Sequence, residues 1–150
     1  MQVCDPNFDA RVRDSFERQP AMRTLGAALQ LVEPGRVVIG MTHREELTQQ
    51  HGFIHAGMLA AALDSACGYA AFSLMPADAA VLTIEFKINL LAPARGPRFR
   101  FDARVTKPGR TISVVDARAV QFAGDGADEQ LVATMTATVM TVVGREGVHH

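Results

Sequence analysis

The sequence predicts an α+β fold in which a curved antiparallel sheet wraps around one long buried helix. From His55 to Leu74 the chain reads HAGMLAAALDSACGYAAFSL, a stretch of small and apolar residues long enough for one central helix. Downstream lie four strand-like runs, several with clear alternation of apolar and polar residues. The connectors between those runs are short and rich in Gly and Pro. A helix with small residues on nearly every face lets backbone approach closely, and a sheet curled around it meets that requirement.

Each element can be justified in order. Asp5-Pro6 is a helix start signal, and Phe8, Val12 and Phe16 then recur every four residues, so a short amphipathic helix is expected over about residues 6–18. Leu25 to Val32 and Arg36 to Thr42 are β-rich runs flanking Glu33-Pro34-Gly35, a hairpin signal. His43 to Ile54 is polar and irregular, a loop feeding the long apolar helix, which Pro76-Ala77-Asp78 breaks. The four later runs are Ala80 to Leu91, Arg98 to Thr106, Thr111 to Ala123 and Gln130 to Val143. In the first, Leu82, Ile84, Phe86, Ile88 and Leu90 alternate with Thr83, Glu85, Lys87 and Asn89, the period of a half-buried strand. In the second, Arg98, Arg100, Asp102 and Arg104 mark the exposed face, with Phe99, Phe101, Ala103 and Val105 on the buried one. The connectors Ala92 to Pro97, Lys107 to Arg110 and Ala123-Gly124-Asp125-Gly126 predict four consecutive antiparallel strands joined by turns. Such a sheet leaves an edge to cover, and pairing edges across a two-fold axis makes a dimer, or a dimer of dimers, the expected assembly.

With 150 residues, about half of them apolar, the chain is expected to form a single domain spanning residues 1–150. The formal charge of -1 and the scattered basic residues argue against nucleic acid as a partner. Cys4 and Cys67 stand far apart without CxxC spacing, which argues against a disulfide framework or zinc knuckle. The charged N-terminus has no apolar secretory core, so a cytoplasmic location is expected. Residues 55–74 have the length of a membrane span, but Asp64 sits at the centre and Ala and Gly are weakly hydrophobic, so no membrane partner is expected.

Asp64 is the most informative residue. It is the only acid in the apolar stretch, with no Lys or Arg there to partner it. An ionised carboxylate in a dry interior costs several kcal/mol unless it is paired or hydrogen-bonded. It serves either as a structural cap or anchor, or as a chemical group. The start of the same helix offers unpaired N–H groups and the positive end of the macrodipole. Ala56 and Gly57 sit there, small enough to let a carbonyl oxygen approach the backbone.

The order Gln49, His51-Gly52, His55-Ala56-Gly57, Asp64, Thr83 and Leu90-Leu91-Ala92-Pro93-Ala94 resembles the hot-dog fold acyl-CoA thioesterases. It is most similar to the phenylacetate-degradation type within the 4-hydroxybenzoyl-CoA thioesterase superfamily. That type carries an HGG triplet and an Asp nine residues after its His, the interval from His55 to Asp64. The resemblance runs from about Leu25 to Val143 and is specific between residues 49 and 94.

The resemblance implies hydrolysis of an aryl or medium-chain acyl-CoA to a free acid and coenzyme A, without metal or other cofactor. Asp64 would be the nucleophile, through a mixed anhydride, or the general base that activates water. The Ala56 amide would hold the thioester carbonyl, with the Gln49 side-chain amide helping. Thr83 would position the water. His55 and Gly57 would shape the substrate-binding helix start, His55 by donating a hydrogen bond. Ala56 departs from the family's usual Gly; it supplies the same N–H but restricts φ and adds a methyl near the substrate. Asp64 lies two turns into the helix and cannot easily reach an oxygen held at that helix's own start. The family solves this across a dimer, the acid of one subunit facing the amide of the other.

Other readings stay open at this level. A non-catalytic acyl-CoA or acyl-carrier sensor would keep the thioester-binding backbone and dispense with the acid. An enoyl-thioester hydratase would pair an Asp with a His. His51 and His55 have the spacing of metal ligands, but Gly52 lies between them and no third ligand is evident. Arg95, Lys107 and Arg110 are equal candidates for the nucleotide end of coenzyme A, each equally readable as a solvated turn residue.

Overall fold

A computed structural model describes residues 1–125 and 128–150. The chain opens with helix α1 (Phe8–Glu17), whose Val12 and Phe16 are buried. Asp5 does not cap it directly: its Oδ1 accepts from the Asn7 N–H at 2.9 Å, closing a turn ahead of the helix. A second helix, α2 (Pro20–Leu25), was not anticipated, and it takes Leu25, the residue expected to begin a strand. Pro20 supplies the preset φ of a first helical turn, and Gly26 ends the helix in the left-handed region at φ 68°. Met22 and Leu25 face the core from this helix, so the apolarity of Leu25 belongs to a short helix rather than to a strand.

Strands β1 (Ala28–Glu33) and β2 (Arg36–Thr42) pair antiparallel through the turn at Pro34-Gly35, with Gly35 at φ 75°. A single 3-10 turn (Glu45–Leu47) interrupts the loop that leads to α3 (Ala56–Phe72). The strands β3 (Ala79–Leu90), β4 (Arg98–Lys107), β5 (Ile112–Phe122) and β6 (Glu129–Val143) follow. Among the described residues they form one antiparallel sheet in the order β1-β2-β4-β5-β6-β3. The turn expected at Ala123-Gly124-Asp125-Gly126 is described as far as Asp125; Gly126 lies outside the described residues.

Helix α3 packs on the concave face against β2, β3, β4, β5 and β6. Ala62, Leu63, Ala66, Cys67 and Ala70 meet Ile39, Phe101, Val115 and Met135 there, all fully buried or nearly so. The small residues on α3 permit the sheet to curl closely around it. The expected alternation along β4 holds, with Phe99, Phe101, Ala103 and Val105 inward.

Two expectations about β3 need correction. It does not sit beside β4 in a run of four consecutive hairpins; β4 pairs with β2, and β3 crosses to the far side of β6. The connector of residues 91–97 is therefore a crossover, and β3 is an edge strand. The simple alternation from Leu82 to Leu90 is also broken. A β-bulge shifts the register between Thr83 and Glu85, so that Thr83 opposes Val139 while Phe86 opposes Ala137. Val139 and Ala137 are both fully buried, and residues directly opposed in an antiparallel pair share a face. Thr83 thus shares the helix-facing side with Phe86, Ile88 and Leu90 rather than the polar outer side. Ile84, Phe86 and Leu90 nonetheless remain 53%, 45% and 54% exposed, because they lie along the free edge. Among the described residues, no helix is long and apolar enough to cross a membrane.

Candidate active site

Asp64 lies in the middle of α3, half-buried, and faces the first half of β3. The re-aimed Thr83 hydroxyl donates to Asp64 Oδ1 at 2.8 Å. No cation pairs with the carboxylate among the described residues. Burial therefore dominates and raises the Asp64 pKa above the ordinary carboxylate value, while the Thr83 hydrogen bond opposes the rise. The acid opens on a small cavity of about 110 Å³ lined by Gln19, Ser65, Gly68, Tyr69, Val81 and His150 besides Asp64 and Thr83.

Several of those neighbours were not singled out from sequence. Gly68 lies four residues beyond Asp64, so helical spacing alone would have put it near the acid. Gln19 and His150 carry no such signal, since chain segments distant in sequence bring them in. The Gln19 side chain sits 3.4 Å from Ser65 Oγ. Ser15 Oγ lies 3.2 Å from the Tyr69 hydroxyl and 2.7 Å from His150 Nδ1. Burial raises the Tyr69 pKa, with the Ser15 contact acting against it.

The other candidate residues gather at the start of α3. His55 is its N-cap, and its Nδ1 accepts from the Gly57 N–H at 2.8 Å. Its Nδ1 is therefore an acceptor, which leaves Nε2 as the ring nitrogen that can donate. The Met58 and Leu59 N–H groups donate to the His55 carbonyl at 2.9 and 3.3 Å. Among the described residues this leaves the Ala56 N–H as the first-turn donor without an acceptor. Gly57 keeps a spatial role, since a Cβ there would meet His55 Nδ1 at 3.1 Å.

Gln49 opens a tight turn that Gly52 closes at φ 83°. Its N–H donates to the Phe53 carbonyl at 2.9 Å, and its side-chain Oε1 accepts from the His51 N–H. That contact leaves the Nε2 amide of Gln49 as a donor. The turn is fastened to the next crossover where the Ile54 N–H donates to the Ala94 carbonyl at 2.9 Å. Gln49 and Ala56 thereby line one cavity of about 340 Å³, with Phe53, His55, Leu90 and Pro93 among its walls.

The acid and the amide donors occupy separate cavities with no lining residue in common. Eight residues of helix separate Asp64 from Ala56, about 12 Å along the axis. Within one chain, then, the structure joins Asp64 to Thr83 and Gln49 to Ala56, His55 and Gly57, and keeps the two groups apart.

Comparison with known proteins adds the family. The model of the thioesterase superfamily matches residues 51–126. A protein of Saccharolobus solfataricus named as a candidate esterase is 35% identical over 85 residues, 57% of this chain and 60% of that protein's own length. A solved structure of a thioesterase family protein from Silicibacter pomeroyi is 56% identical, covers 91% of this chain and 99% of its own, and superposes with a TM-score of 0.88. The E. coli PaaI protein from the phenylacetic acid degradation operon shares only 20% identity but covers 95% of this chain and 98% of its own at a TM-score of 0.83, a likeness of fold. The sheet curled around α3 is the hot-dog fold, and the chain belongs to the thioesterase superfamily, a family of thioester hydrolases.

Proposed function

We propose that this protein hydrolyses acyl-CoA thioesters at a site completed by a second copy of itself. The observation that carries the reading is a half-buried, cation-free carboxylate held by Thr83, placed apart from a helix start that leaves the Ala56 amide free. Neither half can act alone: a thioester needs donors at its carbonyl oxygen and a base or nucleophile at its carbonyl carbon.

The edge strand supports the assembly. The Asp64–Thr83 pair lies near the first half of β3, and Leu90, at its last residue, lines the cavity of the amide donors. Two β3 edges paired antiparallel would set the Thr83 end of one strand beside the Leu90 end of the other. The exposed Ile84, Phe86 and Leu90 would be covered by the same contact. A homodimer, or a dimer of dimers, follows.

In this site the Ala56 N–H and the Gln49 side-chain amide polarise the thioester carbonyl. In one route Asp64 takes a proton from water as the water oxygen bonds to the carbonyl carbon. The C–S bond then breaks and the proton passes to the departing coenzyme A thiolate. In the other route an Asp64 oxygen attacks first and the C–S bond breaks to release the coenzyme A thiolate; water then hydrolyses the mixed anhydride to the free acid and the Asp64 carboxylate, and the proton released passes to the thiolate. The acyl group is an aryl or medium-chain one, water is the only co-reactant, and coenzyme A is part of the substrate. The reaction suits the reducing cytoplasm, where Cys4 and Cys67 stay free thiols.

The test is thiol release from a panel of acyl-CoAs, with Asp64→Asn as control. Release that vanishes in the variant supports hydrolysis; tight binding without release supports a sensor, and loss of an enoyl chromophore without release supports hydration. Single turnover in heavy-oxygen water identifies the covalent route when Asp64 gains the label, which requires water to attack the Asp64 carbonyl of the anhydride.

A further inference from the structure

Three turn cations looked equivalent for the phosphorylated end of coenzyme A, and their positions separate them. Arg110 lines a different cavity, together with Cys4, Met75 and Pro76. Lys107 ends β4 and lines neither the acid cavity nor the amide cavity. Arg95 stands in the crossover whose Pro93 and Ala94 form a wall of the amide cavity.

We propose that Arg95 binds a phosphoryl group on the pantetheine arm of the substrate, with Phe53 as its platform; the proposal rests on the acyl-CoA reading above. The Arg95 guanidinium lies 5.2 Å from the centroid of the Phe53 ring, and Phe53 itself lines the amide cavity. A guanidinium held over an aromatic ring keeps its N–H groups available, and those are the groups that recognise phosphate.

Among the described residues Arg95, like Lys107 and Arg110, has no carboxylate partner, whereas other arginines of this region are engaged. Arg44 lies 3.6 Å from Glu46, Arg98 donates to the Gly124 carbonyl at 2.6 Å, and Arg100 pairs with Glu129. Arg95 is exposed and has no carboxylate or side-chain hydrogen-bond partner among the described residues.

The backbone beneath Arg95 is anchored by a buried amide. Gln121 Oε1 accepts from the Arg95 N–H at 2.8 Å and from the Gly96 N–H at 3.0 Å, while Gln121 Nε2 donates to the Pro93 carbonyl at 3.2 Å. With the Ile54–Ala94 hydrogen bond on its other side, the crossover holds Arg95 at a set position next to Pro93 and Ala94, which wall the amide cavity. An exposed, preorganised, unpaired cation at the mouth of a thioester pocket matches an anionic carrier better than a neutral one.

The test compares wild-type protein with Arg95→Ala and Arg95→Lys, using free coenzyme A and unphosphorylated pantetheine as ligands in calorimetry. The same pair of carriers, acylated, serves as substrates. The expected result for Arg95→Ala is about fivefold weaker coenzyme A binding and a similar rise in KM at low salt. Its kcat is unchanged, pantetheine behaves as with wild type, and Arg95→Lys recovers part of the loss. The loss shrinks as salt rises. Equal effects on the phosphorylated and unphosphorylated carriers, no effect on either, or a changed oligomeric state in Arg95→Ala would overturn the assignment. Wild-type protein that binds coenzyme A in an Arg95-dependent way yet releases no thiol supports the assignment and defeats the hydrolase reading instead.

Discussion

The Thr83 hydroxyl donates to Asp64 Oδ1 at 2.8 Å because a β-bulge turns Thr83 toward the central helix. Regular alternation would have aimed it at the opposite face of the sheet. Bulges of this kind commonly re-aim a side chain next to a functional group. Here one extra residue in an edge strand supplies the hydrogen bond that, among the described residues, opposes the desolvation of the acid.

Asp64→Asn separates chemistry from folding. The amide keeps an oxygen to accept from Thr83, so the variant should fold and assemble, yet thioester turnover should fall about 100-fold or more. Because burial raises the Asp64 pKa, the ionised acid costs stability at neutral pH. The variant should therefore melt about 2 °C higher there, as followed by circular dichroism. The sign reverses no further than zero: the gain shrinks as pH falls through the raised pKa, where wild-type Asp64 is already protonated. An unchanged rate would make the acid structural.

Thr83→Val should move the acid limb of the pH–rate profile. Activity in either proposed route needs ionised Asp64, so kcat/KM falls as pH drops through its raised pKa. Removing the hydroxyl removes the interaction that lowers that pKa, so the limb should shift to higher pH. A limb that stays put while the rate falls would assign Thr83 to water placement alone.

His55→Ala removes the side-chain cap of α3, leaving the Gly57 N–H without its acceptor. The expected cost is about 1 kcal/mol, seen as a lower midpoint in urea, with His55→Asn recovering most of it. Ala56→Gly should be tolerated, since the N–H is kept, and it tests whether the Ala56 methyl narrows the acyl range. The acyl-CoA panel reads that directly; a changed assembly state would instead tie the position to packing.

Phe86→Glu tests the edge. Phe86 is 45% exposed on an otherwise uncovered strand, so a charge there is cheap for the isolated chain and expensive for paired edges. Sedimentation should show monomers with unchanged secondary structure, and thiol release should disappear if, as proposed, each chain holds only half of the site. Full activity in a monomer would show that one chain suffices.

Much of this architecture could be read along the chain because its signals are local. The run from His55 to Leu74 has one chemical character, and α3 occupies Ala56–Phe72 within it. The alternation from Arg98 to Val105 sorts outer from inner residues without knowledge of any partner strand. The interval from His55 to Asp64, together with Gln49 and Thr83, also marked residues that the fold gathers into two clusters.

Tertiary structure decided what depends on partners distant in sequence. The strand order places β3 beyond β6 because β4 takes β2 as its neighbour, and no local pattern encodes that choice. The bulge at Thr83 exists only in register with β6, so alternation along β3 alone aimed the hydroxyl the wrong way. The Gly57 amide is consumed by the His55 ring, a matter of side-chain direction rather than spacing. Gln19 and His150 reach the acid cavity from opposite ends of the chain. The sequence by itself determined which residues are candidates for the chemistry and which stretches are apolar, because both are properties of neighbours along the chain; which of them meet was left to packing, where ladder register and burial outweigh any local preference.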